Sequence, residues 1–283
     1  MKSGTSAVLF ALGLASTPTY SRATICDIID ASPNENVRCV AAHSTTRALY
    51  SNYGGALYQV RRSSDLHVQD IKVVATGGVA NAASQDTFCG TSDCVIFRIY
   101  DQSPFGNHLN LAPPGGAHTA PDNPVNATAD SITLNKNKVY GAKFEGNNGY
   151  RIDITNGVAQ GNDEETIVAV LNGEHFNNGC CFDYGNAESN NLDTGAGSME
   201  ALYFGNSSGW GKGAGNGPWL MADLENGLWA GDQKVNPGNP SLNHNFITGM
   251  VKGGSSGFGL KGGDAQGGNL QTLCVCLLPF LYD

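Results

Sequence analysis

Short runs of β-branched and aromatic residues recur along this chain, several of them alternating with polar residues, and clusters of Gly, Asn and Pro separate them. Such runs predict strands at residues 56–61, 71–75, 94–100, 139–145, 166–171, 199–204 and 246–252. In the third run Val95, Phe97 and Ile99 take one face, and Ile96, Arg98 and Tyr100 the other. The separators include Pro113-Pro114-Gly115-Gly116 and Asn147-Asn148-Gly149. Helical pattern is weak: only residues 44–53 offer one, with Ser44 as its cap. No fixed repeat period is present. The pattern predicts an all-β fold, one sandwich of antiparallel strands.

One further run stands out. Between Gly217-Pro218 and Gly227, residues 219–225 read as a strand with two unlike faces. Leu220, Ala222 and Leu224 form an apolar side; Trp219, Met221, Asp223 and Glu225 form the other. That second face ends in two carboxylates two residues apart, about 7 Å between their Cα atoms. On pattern alone an acidic pair on a solvated strand face is the commoner meaning. Aromatic walls beside paired acids are also what a sugar-cleaving site needs: flat apolar faces for the ring and carboxylates for the chemistry.

Composition narrows the class. The chain has 283 residues, enough for a sizeable core, with 38 glycines that suit short strands and tight turns. A formal net charge of −9 argues against nucleic acid or an anionic membrane as partner, whereas a neutral polysaccharide is indifferent to the sign. Residues 1–23 read as a secretory signal: Lys2, the apolar run Ala7 to Ala15, then Ser21-Arg22-Ala23 as a small-residue cleavage site. That run is far shorter than the ~20 residues of a membrane span. A secreted, extracellular protein is therefore expected.

Secretion sets the reading of the cysteines. Cys26 with Cys39 and Cys89 with Cys94 are spaced for disulfides, and no further ligands stand nearby for a metal. Cys180-Cys181 is different, because bonding neighbours distorts the peptide between them; each could instead pair elsewhere. Sequons at Asn126 and Asn206 are expected on exposed loops as glycosylation sites. Gly205 to Gly209 and Gly253 to Gly257 match a hydrolase nucleophile elbow, yet glycine-rich sequence follows where that elbow needs a helix. His43 and His108 are isolated, so core or loop hydrogen bonding is their expected role. No cofactor or metal is implied.

Longer stretches carry a resemblance. They include Cys39 to Tyr50, Gly55 to Val60, Tyr100-Asp101-Gln102-Ser103, Cys180-Cys181-Phe182-Asp183-Tyr184-Gly185-Asn186-Ala187-Glu188, Asp193-Thr194-Gly195-Ala196-Gly197, Gly205 to Gly211 and Gly217 to Trp229. Together they resemble the catalytic domain of the fungal α-L-arabinofuranosidase B family, glycoside hydrolase family 54. The resemblance implies a lectin-like (concanavalin-like) sandwich and a retaining glycosidase that releases terminal α-L-arabinofuranosyl residues from arabinan and arabinoxylan. It implies Glu225 as nucleophile, Asp223 and Asn226 as sugar-hydroxyl contacts, and Trp210, Leu228, Asp193 and a vicinal Cys180–Cys181 disulfide as pocket wall. Its partners would be arabinose-containing plant cell-wall polysaccharides, with the protein a monomer. Asp223 as acid/base is the second choice, since same-strand neighbours tend to point side by side rather than across a substrate.

The resemblance runs from Cys26 to about Leu270. Gly262-Gly263-Asp264 looks like the family's acid/base motif, but its flanks align it with an earlier segment. This gives three expected units: a signal over 1–23, a catalytic sandwich over 24–272 that is incomplete at its C-terminus, and an unrelated tail over 273–283. In that tail Cys274 and Cys276 form a conceivable soft-metal pair. An impaired arabinofuranosidase is the first functional reading, and a sugar-binding sandwich without turnover the alternative.

Overall fold

The computed structural model describes residues 23–115, 119–160, 163–176, 178, 183–186, 199–224, 227–255 and 257–277. Among these residues two short helices, α1 (Ile25–Asp30) and α2 (Ala82–Cys89), accompany fifteen strands. In the N-terminal half these are β1 (Ala56–Arg62), β2 (Val68–Lys72), β3 (Cys94–Ile99), β4 (Leu109–Leu111), β5 (Asp130–Leu134), β6 (Asn137–Gly141) and β7 (Tyr150–Arg151). The C-terminal half holds β8 (Glu165–Asn172), β9 (Asp183–Gly185), β10 (Glu200–Gly205), β11 (Trp219–Leu224), β12 (Gly227–Trp229), β13 (Phe246–Gly253), β14 (Gly257–Asp264) and β15 (Gln271–Leu277).

The all-β expectation holds, with the apolar residues gathered into two main cores. In the first half a sheet in the order β2-β1-β3-β4-β7 and the ribbon β5-β6 enclose Leu57, Tyr58, Val60, Ile71, Ile96 and Val139. In the second half two four-stranded sheets, β12-β11-β10-β9 and β15-β14-β13-β8, stack face to face. Leu202, Phe204, Leu220, Leu224, Ile247, Val251 and Leu260 fill the space between them. Gly249 is needed there, since a Cβ on it would stand 2.4 Å from Leu220 Cδ1.

The differences from expectation have local causes. Residues 44–53 are not helical. Ser44 Oγ does accept from the Thr46 and Arg47 amides, as a cap would. The segment's remaining groups then pair with residues 78–80 instead of with the next turn: Ala48 N–H donates to Gly78 O, and Ala80 N–H to Thr46 O. The longer of the two helices, α2, is capped by Asn81, whose side chain accepts from the Ser84 amide. In β3 the alternation breaks at Phe97. Val60 pairs with Ile96 and Gln59 with Arg98, so Phe97 is the extra residue of a bulge, and Ile96 and Ile99 are both buried. The expected strand at 71–75 begins earlier, as β2, because Val73 leaves the sheet to bridge Ala80. Residues 271–277 pair with β14 as an edge strand.

Candidate active site

β11 separates core from site. Leu220, Ala222 and Leu224 enter the inter-sheet core, while Trp219, Met221 and Asp223 lie on the other face with Tyr203, Leu228 and Ala230. The whole strand is buried, so this outer face is not the solvated face that the acidic pattern suggests. Register defines two rows across the sheet. Gly185, Ala201, Asp223 and Leu228 stand opposite one another in turn, and Asp183, Tyr203 and Met221 form the neighbouring row.

These rows bring together two acids. Asp223 is 5 % exposed, and its carboxyl is hydrogen-bonded to that of Asp183, two strands away. On the strand between them Tyr203 stands opposite Asp183 and Ala201 opposite Asp223. The small Ala201 and Gly185 leave room for the diagonal contact, and a Cβ on Gly185 would stand 2.8 Å from that of Ala201. Burial and then the Asp223 charge push Asp183 far above the carboxylate range. Asp223 is also raised by burial, but the hydrogen bond from Asp183 pulls it back. Two acids in contact in an apolar setting cannot both ionise, so they share one proton, with Asp183 as its holder. Asp183 Oδ1 is buried without a hydrogen-bond partner among the described residues.

Every residue of β9 and its neighbour is engaged. Tyr184 donates its hydroxyl to His43 Nδ1 at 2.8 Å, while His43 Nε2 donates to Asn107 O at 2.7 Å. A carbonyl only accepts, which fixes the proton on Nε2. Burial holds His43 below its ordinary range, hence neutral. Asn186 Nδ2 donates to both oxygens of Glu165, at 2.7 and 2.8 Å. Glu165 in turn hydrogen-bonds Glu200, which is 4 % exposed and lies against Gly253. Burial, then the Glu200 charge, pushes Glu165 up to about 7. Asp183, Glu165 and Glu200 drew no functional reading from the sequence. Asp183 lies within a quoted stretch, but a three-residue strand is too short for periodicity to show.

Of the sequence-predicted site residues, Asp223 and Leu228 pair directly across β11 and β12, with Leu228 fully buried. Trp210 is 57 % exposed and sits over the same end of the sheet: a Cβ on Gly227 would stand 3.4 Å from its ring. Glu225, Asn226, Asp193, Cys180 and Cys181 lie outside the described residues. Cys26–Cys39 and Cys89–Cys94 form the expected disulfides. Cys274 and Cys276 lie side by side on β15 with Asp232 next to them, the arrangement the soft-metal pair would need. Asn126 is exposed, as a sequon should be. Asn206 is only half-exposed and its Oδ1 is buried, contrary to the expected open loop. Asp264 Oδ1 accepts from the Gln266 amide in its own turn. Neither elbow-like motif joins a strand to a helix, and Gly253 to Gly257 link two strands. His108 Nδ1 accepts from the Asp101 amide, which is loop bonding.

Comparison with known proteins places this geometry. The family described as "Alpha-L-arabinofuranosidase B, catalytic" matches residues 25–282. "Alpha-L-arabinofuranosidase B" of Aspergillus niger is 50% identical over 269 residues, 93% of this chain and 53% of that protein. The protein of the same name from Aspergillus kawachii is 49% identical with the same coverage. A crystal structure of an arabinofuranosidase complexed with arabinofuranosyl-α-1,2-xylobiose superposes with a TM-score of 0.84 at 48% identity, over 88% of this chain and 52% of that one. The chain thus spans about half the length of the relatives it matches.

Proposed function

The chain belongs to the α-L-arabinofuranosidase B catalytic family, and from that premise we propose that it acts as the catalytic sandwich of a secreted, retaining α-L-arabinofuranosidase. Its substrates would be terminal α-L-arabinofuranosyl residues of arabinan and arabinoxylan. The observation that carries this reading is the buried Asp223, held with Asp183 on a face walled by Trp219, Met221 and Leu228 and two residues before Glu225. A furanose ring offers an apolar face to such a wall and hydroxyls to such an acid.

Glu225 attacks the anomeric carbon and forms the arabinosyl ester as the glycosidic C–O bond breaks and its electron pair leaves with the aglycone oxygen, while Asp223 accepts a hydrogen bond from a sugar hydroxyl and fixes the ring for that attack. Sharing its proton load with Asp183 suits Asp223 to this task, since it stays an acceptor although buried. Asp264 serves its own turn and is given no part. The test is release of 4-nitrophenol from 4-nitrophenyl α-L-arabinofuranoside, with Glu225→Gln as the control. Release by the parent chain and none by the variant is the expected result. Arabinose binding without release from either would establish the sugar-binding reading in its place.

A further inference from the structure

We propose that Asp183 is a positioning residue for the sugar-binding acid: it donates its carboxyl proton to Asp223 and so holds that carboxylate as an oriented acceptor. The inference deepens the arabinofuranosidase reading and rests on it for the identity of the sugar, but not for the proton itself.

The geometry is specific. Asp183 and Asp223 share one sheet face, with β10 between them, and strands about 4.8 Å apart put their Cα atoms beyond ordinary neighbour contact. They meet on the diagonal across β10, where Asp183 stands opposite Tyr203 and Asp223 opposite Ala201, and the small Ala201 and Gly185 of the Asp223 row leave room for the contact. The chain following Asp183 is pinned twice, by Tyr184 to His43 and by Asn186 to Glu165. A strand so held is suited to aim one side chain. Among the described residues the other titratable group facing the acid pair is Tyr203 of β10, whose hydroxyl accepts from the Ser207 amide at 3.0 Å. β12 contributes the apolar Leu228. Lys234 lies one step away, its ammonium against Gly227 and the Trp229 ring. Within this setting a carboxylate at Asp223 is stabilised by a proton on Asp183 and destabilised by a charge there.

A carboxamide at position 183 can also donate a hydrogen bond, and it cannot ionise. This separates a positioning role from a merely structural one. Asp183→Ala should raise KM for an arabinofuranoside about 10–100-fold, the scale of losing a hydrogen bond to a buried charge. It should also move the acidic limb of the pH profile upward, because Asp223 then holds its own proton more tightly. Asp183→Asn should recover most of that KM and keep the acidic limb, while losing the alkaline fall that ionisation of Asp183 causes in the parent. Independently of any activity, infrared spectroscopy at neutral pH should show a protonated-carboxyl band that Asp183→Asn removes and that the exposed-site control Asp163→Asn leaves.

An infrared spectrum unaltered by Asp183→Asn would overturn the proposal. So would equal impairment by the Asn and Ala variants with unmoved pH limbs. A band that behaves as expected in a chain that turns over no arabinofuranoside would uphold the proton assignment and count against the functional reading instead.

Discussion

Asp101 and Asp183 are both shielded acids, and they are built in opposite ways. Asp101, 4 % exposed, receives four hydrogen bonds. The amides of Ala42 and Ser103 donate to Oδ1 at 2.7 and 2.9 Å, and the Ser103 hydroxyl and Asn107 amide to Oδ2 at 2.6 and 2.8 Å. Asp183 has an oxygen with no partner among the described residues and a second acid against the other. A carboxylate saturated by backbone donors organises the chain around itself and has no acceptor left for a ligand. One that is left short of donors costs stability, and such a cost persists where a ligand or a proton completes the set. The quoted motifs Tyr100-Asp101-Gln102-Ser103 and Cys181-Phe182-Asp183 therefore carry different meanings, although each centres on an aspartate.

Breaking the saturated acid should have the largest effect. Asp101→Ala strands three backbone amides in the interior, at about 1–3 kcal/mol for each group that water cannot reach, while the Ser103 hydroxyl keeps Val40 O as acceptor. A loss of about 3–5 kcal/mol is expected, measured as a fall in the urea midpoint with little change in slope. Asp223→Asn should behave in the reverse sense. It removes the charge that opposes ionisation of its neighbour, so stability should hold or rise, while kcat/KM on an aryl arabinofuranoside falls about 10–100-fold. If Asp223→Asn unfolds the chain and Asp101→Ala does not, the contrast between the two acids is wrong.

The pH dependence sharpens the same contrast. Asp183 and Glu165 are raised in the folded chain, so each keeps a proton that the unfolded chain has already released. Stability from them is complete below the ordinary carboxylate range and is lost as pH rises, for Glu165 between about 4.5 and about 7. His43 works the other way. Its lowered value means that its contribution is whole above its ordinary 6.5 and fades as pH falls through and below that point. The thermal midpoint should therefore decline from mildly acidic to neutral pH. Glu165→Gln should flatten that decline, which a calorimetric series over pH would show; an equally steep decline in the variant would count against the Glu165 assignment.

What the sequence disclosed followed from periodicity. β11 was legible because a proline-containing turn and a glycine bracket a full alternation, and because its two faces differ in kind. Strand positions for β1, β8, β10 and β13 agree within a residue or so for the same reason. Asp183 was not legible as a site residue. It sits in a three-residue strand, and its partner lies forty positions on, beyond any local pattern. The absent helix at 44–53 shows the converse. Ser44 caps as a helix start would, but Gly78, distant in sequence, takes the hydrogen bond that the next turn needs. The bulge at Phe97 likewise depends on register with β1, which alternation within β3 cannot reveal.

The smallest effect should come from Trp210, where the two kinds of contribution separate most cleanly. Its side chain is more than half exposed and stands over Gly227, outside both main cores. Truncation to Ala removes no core contact and leaves no buried group unpaired, so the urea midpoint should move by no more than about 0.5 kcal/mol-equivalent. A sugar ring stacked on the indole would lose an apolar face, and aromatic contacts of this kind are worth about 0.5–1.5 kcal/mol. KM should accordingly rise about 2–10-fold with kcat little changed, because the wall meets ground state and transition state alike. Trp229, on the adjoining strand, provides the internal control. It packs against the inter-sheet core, so Trp229→Ala should cost stability chiefly, not affinity. A Trp210 variant that loses stability while keeping its KM would mean that the indole props the sheet end and that the sugar stacks elsewhere.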